Sequence, residues 1–283
     1  MEKDLAIITG ADGGMGEYIS CAHAKAGYRV IMACYDPEHG KIIRDKIVEM
    51  SGNEDVEVRQ IDLSSLSSVK KFTDEILSEG KPVKRLMNNA GILTTNNRKS
   101  ADGLETLVSV NYVAPYYMTR RLLPLMGDGS RIVNTVSCTY AIGKIEKRFF
   151  ENGRDGRFYR IPVYSNTKLA LFLFTQELAK RVKDRGILVN ASDPGIVSTN
   201  MIRMNAWFDP ITDLIYRPLI KTAAQGASTA IHISLSEEVS GITGSLFAES
   251  KKRNVSKRIL NHPKQKKLWD DTELLLQEKG FSI

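Results

Sequence analysis

The sequence predicts an α/β fold: a doubly wound, mostly parallel sheet of seven strands with helices on both faces. Three observations carry this. Short apolar runs alternate with amphipathic stretches along the 283 residues, the pattern of repeated βαβ units. Runs such as Leu5-Ala6-Ile7-Ile8 are apolar at every position, as suits strands covered on both faces. A glycine-rich turn, Thr9-Gly10-Ala11-Asp12-Gly13-Gly14-Met15-Gly16, joins the first run to the first helical stretch.

Taken in order, strands are expected at 5–9, 29–34, 56–61, 85–88, 131–136, 187–191 and 245–248. Helices are expected at about 15–26, 38–50, 66–78, 102–126, 163–184 and 222–235. No internal repeat, low-complexity tract or linker divides the chain, so 1–283 reads as a single domain. Two segments break the rhythm. Residues 143–162 read as a long loop after a strand. Residues 198–221 hold Met201, Met204, Trp207 and Phe208 with no clean helical period. They read as a helical cover over an apolar substrate pocket.

Composition bounds the function. Hydrophobic residues make up 42% and charged residues 26%, an ordinary globular balance that leaves no long disordered region. No apolar run approaches a membrane span. The N-terminus passes from Met1-Glu2-Lys3-Asp4 straight into an apolar run, without a signal-peptide pattern. Three widely spaced cysteines (Cys21, Cys34, Cys138) fit reduced thiols in a cytoplasm. Four histidines form no ligand-spaced cluster, so no metal is expected. The net charge of +7 comes from residues 251–267, which hold eight Lys/Arg and no acid; without those eight it becomes −1. The chain body is therefore near neutral, which argues against a nucleic-acid partner. A basic C-terminal tail at about 250–283 is expected to be a solvated surface, with peripheral contact to an anionic membrane as its alternative use.

The glycine turn follows a strand and opens a helix. Glycines there permit a tight bend and let backbone N–H groups approach a pyrophosphate at the helix N-terminus. That context points to a Rossmann-type dinucleotide site, with Thr9, Gly10, Asp12, Gly14, Met15 and Gly16 in it. Tyr164 and Lys168 are spaced to share one helical face. In a cleft, the ammonium would draw the phenol down from a pKa of about 10 toward the range of a working acid or base. In isolation the same pair could be a solvated surface contact.

The spacing T-G-x-x-x-G-x-G is followed in order by Asp62-Leu63, Asn88-Asn89-Ala90-Gly91, Asn111, Ser137, Tyr164 with Lys168, and Asp193-Pro194-Gly195 with Thr199. This series resembles the short-chain dehydrogenase/reductase family and runs across most of the chain. Val30-Ile31-Met32-Ala33-Cys34, the loop before Tyr164, Leu173-Phe174-Thr175-Gln176-Glu177-Leu178-Ala179 and Lys267-Leu268-Trp269 look most like its retinol dehydrogenase-like members. The resemblance implies Tyr164 as the proton donor and acceptor, and Lys168 as the group that depresses its pKa and holds the nicotinamide ribose. It implies Ser137 as the substrate-oxygen partner, and Asn111 as support for a water leading from Lys168 to solvent. It also implies cofactor contacts from Asp62 and Leu63, from Asn89, Ala90 and Gly91, and from Pro194, Gly195, Ile196 and Thr199. Asp193 departs from the small or neutral residue usual before that Pro-Gly. It would either bond backbone in a turn or place a negative charge by the cleft.

At the end of the second strand Cys34 stands where NAD-preferring members usually carry an acid, and Tyr35 where NADP-using ones often carry an Arg. The missing acid favours NADP(H) over NAD(H), with His39, Lys41 and Arg44 as the nearest candidate cations. The function expected is interconversion of an alcohol and its ketone or aldehyde by hydride transfer with NAD(P), on an apolar small-molecule substrate, for which a steroid, retinoid-like or fatty carbonyl compound fits as well as a small ketone. A non-catalytic NADP(H)-binding redox sensor is the alternative. By analogy with relatives, a homo-oligomer (dimer or tetramer) is expected to form through the helices at 102–126 and 163–184.

Overall fold

The computed structural model describes residues 3–94, 98–151, 160–197 and 220–283. Strands β1 (Leu5–Thr9), β2 (Arg29–Cys34), β3 (Val56–Gln60), β4 (Val83–Asn88), β5 (Arg131–Thr135), β6 (Leu188–Asp193) and β7 (Leu246–Ala248) are parallel. A further strand, β8 (Lys251–Arg253), closes the edge antiparallel to β7. The order is β3-β2-β1-β4-β5-β6-β7-β8. The chain reverses direction of winding between β1 and β4, and a crevice opens at such a switch point beyond the strand ends.

The sheet has eight strands rather than the expected seven. The hairpin turn uses Glu249 and Ser250, both at positive φ, and leads into Lys251-Lys252-Arg253, which are exposed throughout. A strand of three exposed cations carries no hydrophobic pattern to read, and suits an edge that must not pair further.

Helices cover both faces. On one lie α1 (Gly14–Lys25), α2 (Pro37–Ser51) and α7 (Ala223–Leu235), whose Ile19, Ile43, Ile47 and Ile233 pack on Ile8 and Met32. On the other lie α3 (Leu66–Glu79), the short α4 (Thr106–Val108), α5 (Ala114–Leu122) and α6 (Arg160–Arg181). A π-helical turn, Ser109–Val113, joins α4 to α5. The helix expected at 102–126 therefore starts four residues later and is interrupted at Asn111.

The C-terminal segment is not a tail. After β8 come α8 (Lys257–Leu260) and α9 (Gln265–Glu278), and α9 buries Leu268, Trp269, Thr272 and Leu276. Trp269 stacks on Phe174 at 5.8 Å and meets Tyr116 edge-on at 5.1 Å. The guanidinium groups of Arg120 and Arg181 lie 4.5 and 4.2 Å from its ring centre, within cation–π range. Tyr112 and Thr272 hydroxyls bond at 2.8 Å. Lys266 and Lys267 pair with Asp270 and Asp271 one turn on. The basic count ended at residue 267, just before the acids that balance it. α9 also explains why α6 is apolar nearly all round, with Leu169 to Phe174 at most 2% exposed. The sheet covers one side of α6 and α9 another.

Among the described residues no helix is long and apolar enough to cross a membrane, and no cluster of His, Cys, Asp or Glu could hold a metal ion. The loop after β5 is partly packed: Phe149 is buried and meets Tyr112 at 5.5 Å. Residues 152–159 lie outside the described residues, as do Thr199, Met201, Met204, Trp207 and Phe208 of the expected cover.

Trp269→Ala is expected to destabilise the chain by about 3–5 kcal/mol, the usual cost of emptying a large aromatic site. Urea denaturation would measure it. A loss below about 1 kcal/mol would show that α9 is only loosely docked.

Candidate active site

The glycine turn is shaped by close approach. Gly10 has φ +62°, and its N–H donates to Ala33 O at 2.9 Å, pinning the turn to β2. A Cβ on Gly16 would lie 1.9 Å from Gly10 O, which no side chain can tolerate. Gly13 stands at the N-cap of α1 and offers no side-chain cap, whereas Asp36 caps α2 and Ser65 caps α3. Gly16 N donates to Gly13 O at 2.6 Å, and the N–H groups of Gly14 and Met15 meet no side-chain cap, the arrangement that receives a pyrophosphate.

Thr9 acts as a knot rather than as a surface. Its Oγ1 accepts from the N–H groups of Asn89 and Ala90 at 3.1 and 3.0 Å. Asn89 Nδ2 returns to Thr9 O at 3.0 Å, while its Oδ1 is buried without a partner among the described residues. Asn88 Nδ2 ties β4 to β5 through Asn134 Oδ1 at 2.7 Å. Asp62 is spent locally: its Oδ1 accepts from Ser64 N and Oγ at 2.8 and 2.7 Å. Leu63 is buried. Met15 packs toward α7, where its Sδ would lie 2.9 Å from a Cβ on Gly226.

At the ends of β4, β5 and β6 the remaining residues converge. The Ser137 side chain neighbours the Tyr164 hydroxyl and acts to hold its pKa down. Lys168 is 2% exposed. Its Nζ donates to Thr135 O at 2.8 Å and lies 5.4 Å from the Tyr164 ring centre. Asn111 clamps the segment after β4, accepting from Ile92 N at 2.8 Å and donating to Ile92 O at 3.0 Å. It also donates to Thr167 Oγ1 at 3.3 Å. The π turn widens the helix where this side chain must reach out, a frequent use of such turns. A Cβ on Gly91 would stand 3.2 Å from Lys168 Nζ and 3.3 Å from Asn111 Oδ1. Glycine keeps that space clear.

Asp193 takes both roles considered for it. Its Oδ1 accepts from Gly195 N at 3.0 Å, and the nearby Cys138 backbone N–H acts to lower its pKa. Its charge bears on both members of the dyad. Ile196, half exposed, leads to Val197, which bridges to Lys221. The chain therefore leaves and re-enters the described residues beside the site.

The electrostatics differ from expectation. Burial, aided by Asp193 and opposed by the Ser137 side chain, pushes the Tyr164 phenol up to about 12. Burial likewise lowers the Lys168 ammonium to about 8 against 10.5, with Asp193 holding part of it up. Desolvation outweighs the pairing that was expected to draw the phenol down. At neutral pH the phenol is protonated and is equipped to donate. The sequence reading missed Thr135, which acts through its carbonyl and leaves no side-chain signal.

These groups fit a nicotinamide dinucleotide: an uncapped helix N-terminus, an unpartnered Asn89 Oδ1, and a Lys168 ammonium with one acceptor. A family model described as short chain dehydrogenase matches residues 4–207. The chain belongs to the short-chain dehydrogenase family. It is similar to human retinol dehydrogenase 11, 34% identical over 269 residues that cover 94% of this chain and 83% of that one. Human retinol dehydrogenase 14 is 33% identical over 98% of this chain and 87% of its own length. An uncharacterised protein from Mycobacterium paratuberculosis superposes with a TM-score of 0.79 at 27% identity, covering 98% and 94% of the two chains. A short chain dehydrogenase from Burkholderia cenocepacia, solved in complex with NADP, shares the fold with a TM-score of 0.70 at 23% identity, covering 87% and 96%. The chain is thus an oxidoreductase of the NAD(P)-dependent alcohol/carbonyl kind.

Lys168 is protonated below about 8 when folded and below about 10.5 when unfolded. The unfolded chain binds the extra proton between those values, so stability should rise as pH climbs through that window. Lys168→Met should stabilise the fold at neutral pH by on the order of 1–3 kcal/mol, flatten that rise, and abolish turnover. Denaturation at neutral pH and near pH 10 tests this. A variant less stable than wild type at neutral pH would refute the buried-charge account.

Proposed function

We propose that Tyr164 is the general acid/base of alcohol–carbonyl interconversion and that the substrate is a small apolar alcohol or carbonyl compound. The observation that carries this reading is the Tyr164–Ser137 hydroxyl pair set beside the buried Lys168 ammonium. When bound, the nicotinamide supplies or accepts the hydride. Ser137 holds the substrate oxygen, and Tyr164 gives it a proton as charge builds there. Lys168 supports the phenolate left behind and donates to the nicotinamide ribose. Asn111 holds the Ile92 backbone, and through it the floor of the pocket. Gly91, Pro194, Gly195 and Ile196 line the nicotinamide end. The apolar-substrate reading rests on the composition of 198–221 and on the retinol dehydrogenase relatives.

A homo-oligomer built on α5 and α6 is a weaker reading than the sequence offered. α9 occupies part of the face those helices would present, through Trp269 and Thr272.

A panel of aliphatic and aromatic aldehydes and ketones, followed at the nicotinamide absorbance, tests the chemistry. Tyr164→Phe should reduce kcat by about 10²–10⁴-fold or more, the range for a positioned acid. Reduction should hold steady through neutrality and decline above about pH 8 as Lys168 loses its proton. Oxidation, which needs the phenolate, should rise with pH. Undiminished turnover by Tyr164→Phe would remove the assigned acid. No turnover by either protein across the panel would favour the sensor alternative.

A further inference from the structure

The end of β2 and the first turn of α2 form the corner where the adenosine ribose of a bound dinucleotide would sit. Without an acid at position 34, the sequence favoured NADP(H) there. The folded corner points the other way, because two of its three candidate cations are paired with acids and the helix N-terminus is capped by a carboxylate.

A cation is the first device that could receive a 2′-phosphate. Lys41 Nζ bonds Glu38 Oε1 at 2.6 Å, and Arg44 Nε bonds Asp45 Oδ1 at 2.6 Å. Tyr35, at the strand end, is 71% exposed and offers no charge. The second device is the N-terminus of α2. Asp36 Oδ1 accepts from Glu38 N and His39 N at 3.0 and 3.2 Å. That cap satisfies two of the N–H groups an anion would use, and adds a negative charge at the same place.

The carboxylate that the strand end lacks comes from elsewhere. Asp12 leaves the glycine turn half-buried, two residues after Gly10, whose N–H is bonded to Ala33 O beside Cys34, and its charge bears on the Cys34 thiol. Cys34 is fully buried and sits against α2, where a Cβ on Gly40 would meet its Sγ at 3.1 Å. Burial and the Asp12 carboxylate both keep that thiol protonated, pushed up to about 12. The protonated thiol donates to Met32 O at 3.5 Å and adds no charge to the corner. Asp12, Asp36 and Glu38 thus all lie on the segments that form the corner, and Lys41 is paired with Glu38.

Resting on the dinucleotide reading of the site, we propose that this chain selects NAD(H) over NADP(H). Asp12, a carboxylate carried on the glycine turn instead of the strand end, accepts from the adenosine ribose hydroxyls and repels a 2′-phosphate. An acceptor-only group next to a diol gains charge-assisted hydrogen bonds. The same group next to a phosphate meets like charge with no compensating partner.

Isothermal titration of the full chain with NADH and with NADPH tests this without any substrate. NADH should bind at least about tenfold tighter, the effect of one unfavourable charge contact. Asp12→Asn, nearly isosteric, should weaken NADH, strengthen NADPH and bring the two within about threefold. Asp12→Ser, which also removes the charge, should do the same if the Asn variant melts early. NADPH bound as tightly as NADH by the wild type would overturn the preference while leaving the dinucleotide site intact. An unchanged ratio in both variants would overturn the role of Asp12. Binding of neither compound would overturn the site reading on which the proposal stands.

Discussion

A lysine ammonium buried at the end of a parallel sheet, with one carbonyl to hold it, is the constraint around which this molecule is arranged. Lys168 reaches from α6 to Thr135 O, so the helix and the end of β5 cannot drift apart. Leaving water costs an ammonium several kcal/mol, and the Thr135 carbonyl and the Asp193 charge offset only part of that. A site that keeps such a group must draw its stability from elsewhere. Here it comes from α6, whose apolar sides are closed by the sheet and by Trp269 of α9. Strain at active sites supported by over-packed surroundings is a general pattern.

The same economy shapes the neighbours. Asp193 bonds Gly195 and neighbours Cys138, and so links the strand end bearing Ser137 to the Pro-Gly turn. Its negative charge then works on the dyad in opposite senses, favouring the charged lysine and the neutral tyrosine. That combination is poised for proton donation to a carbonyl oxygen. Asn111 performs an analogous task across the cleft, where a π turn trades helical regularity for reach.

Much of this was readable in the residues because it rests on local rules. Strands buried on both faces announce themselves as unbroken apolar runs, and the bend at Gly10 and Gly16 can be made only without side chains. Tyr164 and Lys168 are placed by helical spacing alone. Other features depended on partners far along the chain. Thr135 contributes a carbonyl that any residue would supply. The role of α9 needed both the acids beyond residue 267 and the aromatic residues Tyr116 and Phe174 that it covers on α5 and α6. β8 is three cations with no pattern. The direction of the Tyr164 shift depends on the depth of burial, which spacing does not encode. The neighbourhood of Asp12 and Cys34 joins two elements by tertiary contact, so Cys34 read alone carries only part of what bears on the cofactor choice.

The most direct measurement is the ionisation of Lys168 itself, followed by NMR of a chain labelled at lysine side chains, with Lys168→Met to assign the signal. A titration midpoint near 8, well below the ordinary 10.5, is what a desolvated ammonium with a single carbonyl partner requires. A midpoint at or above 10.5 would mean that the group is solvated or fully paired, and would contradict the account at its root.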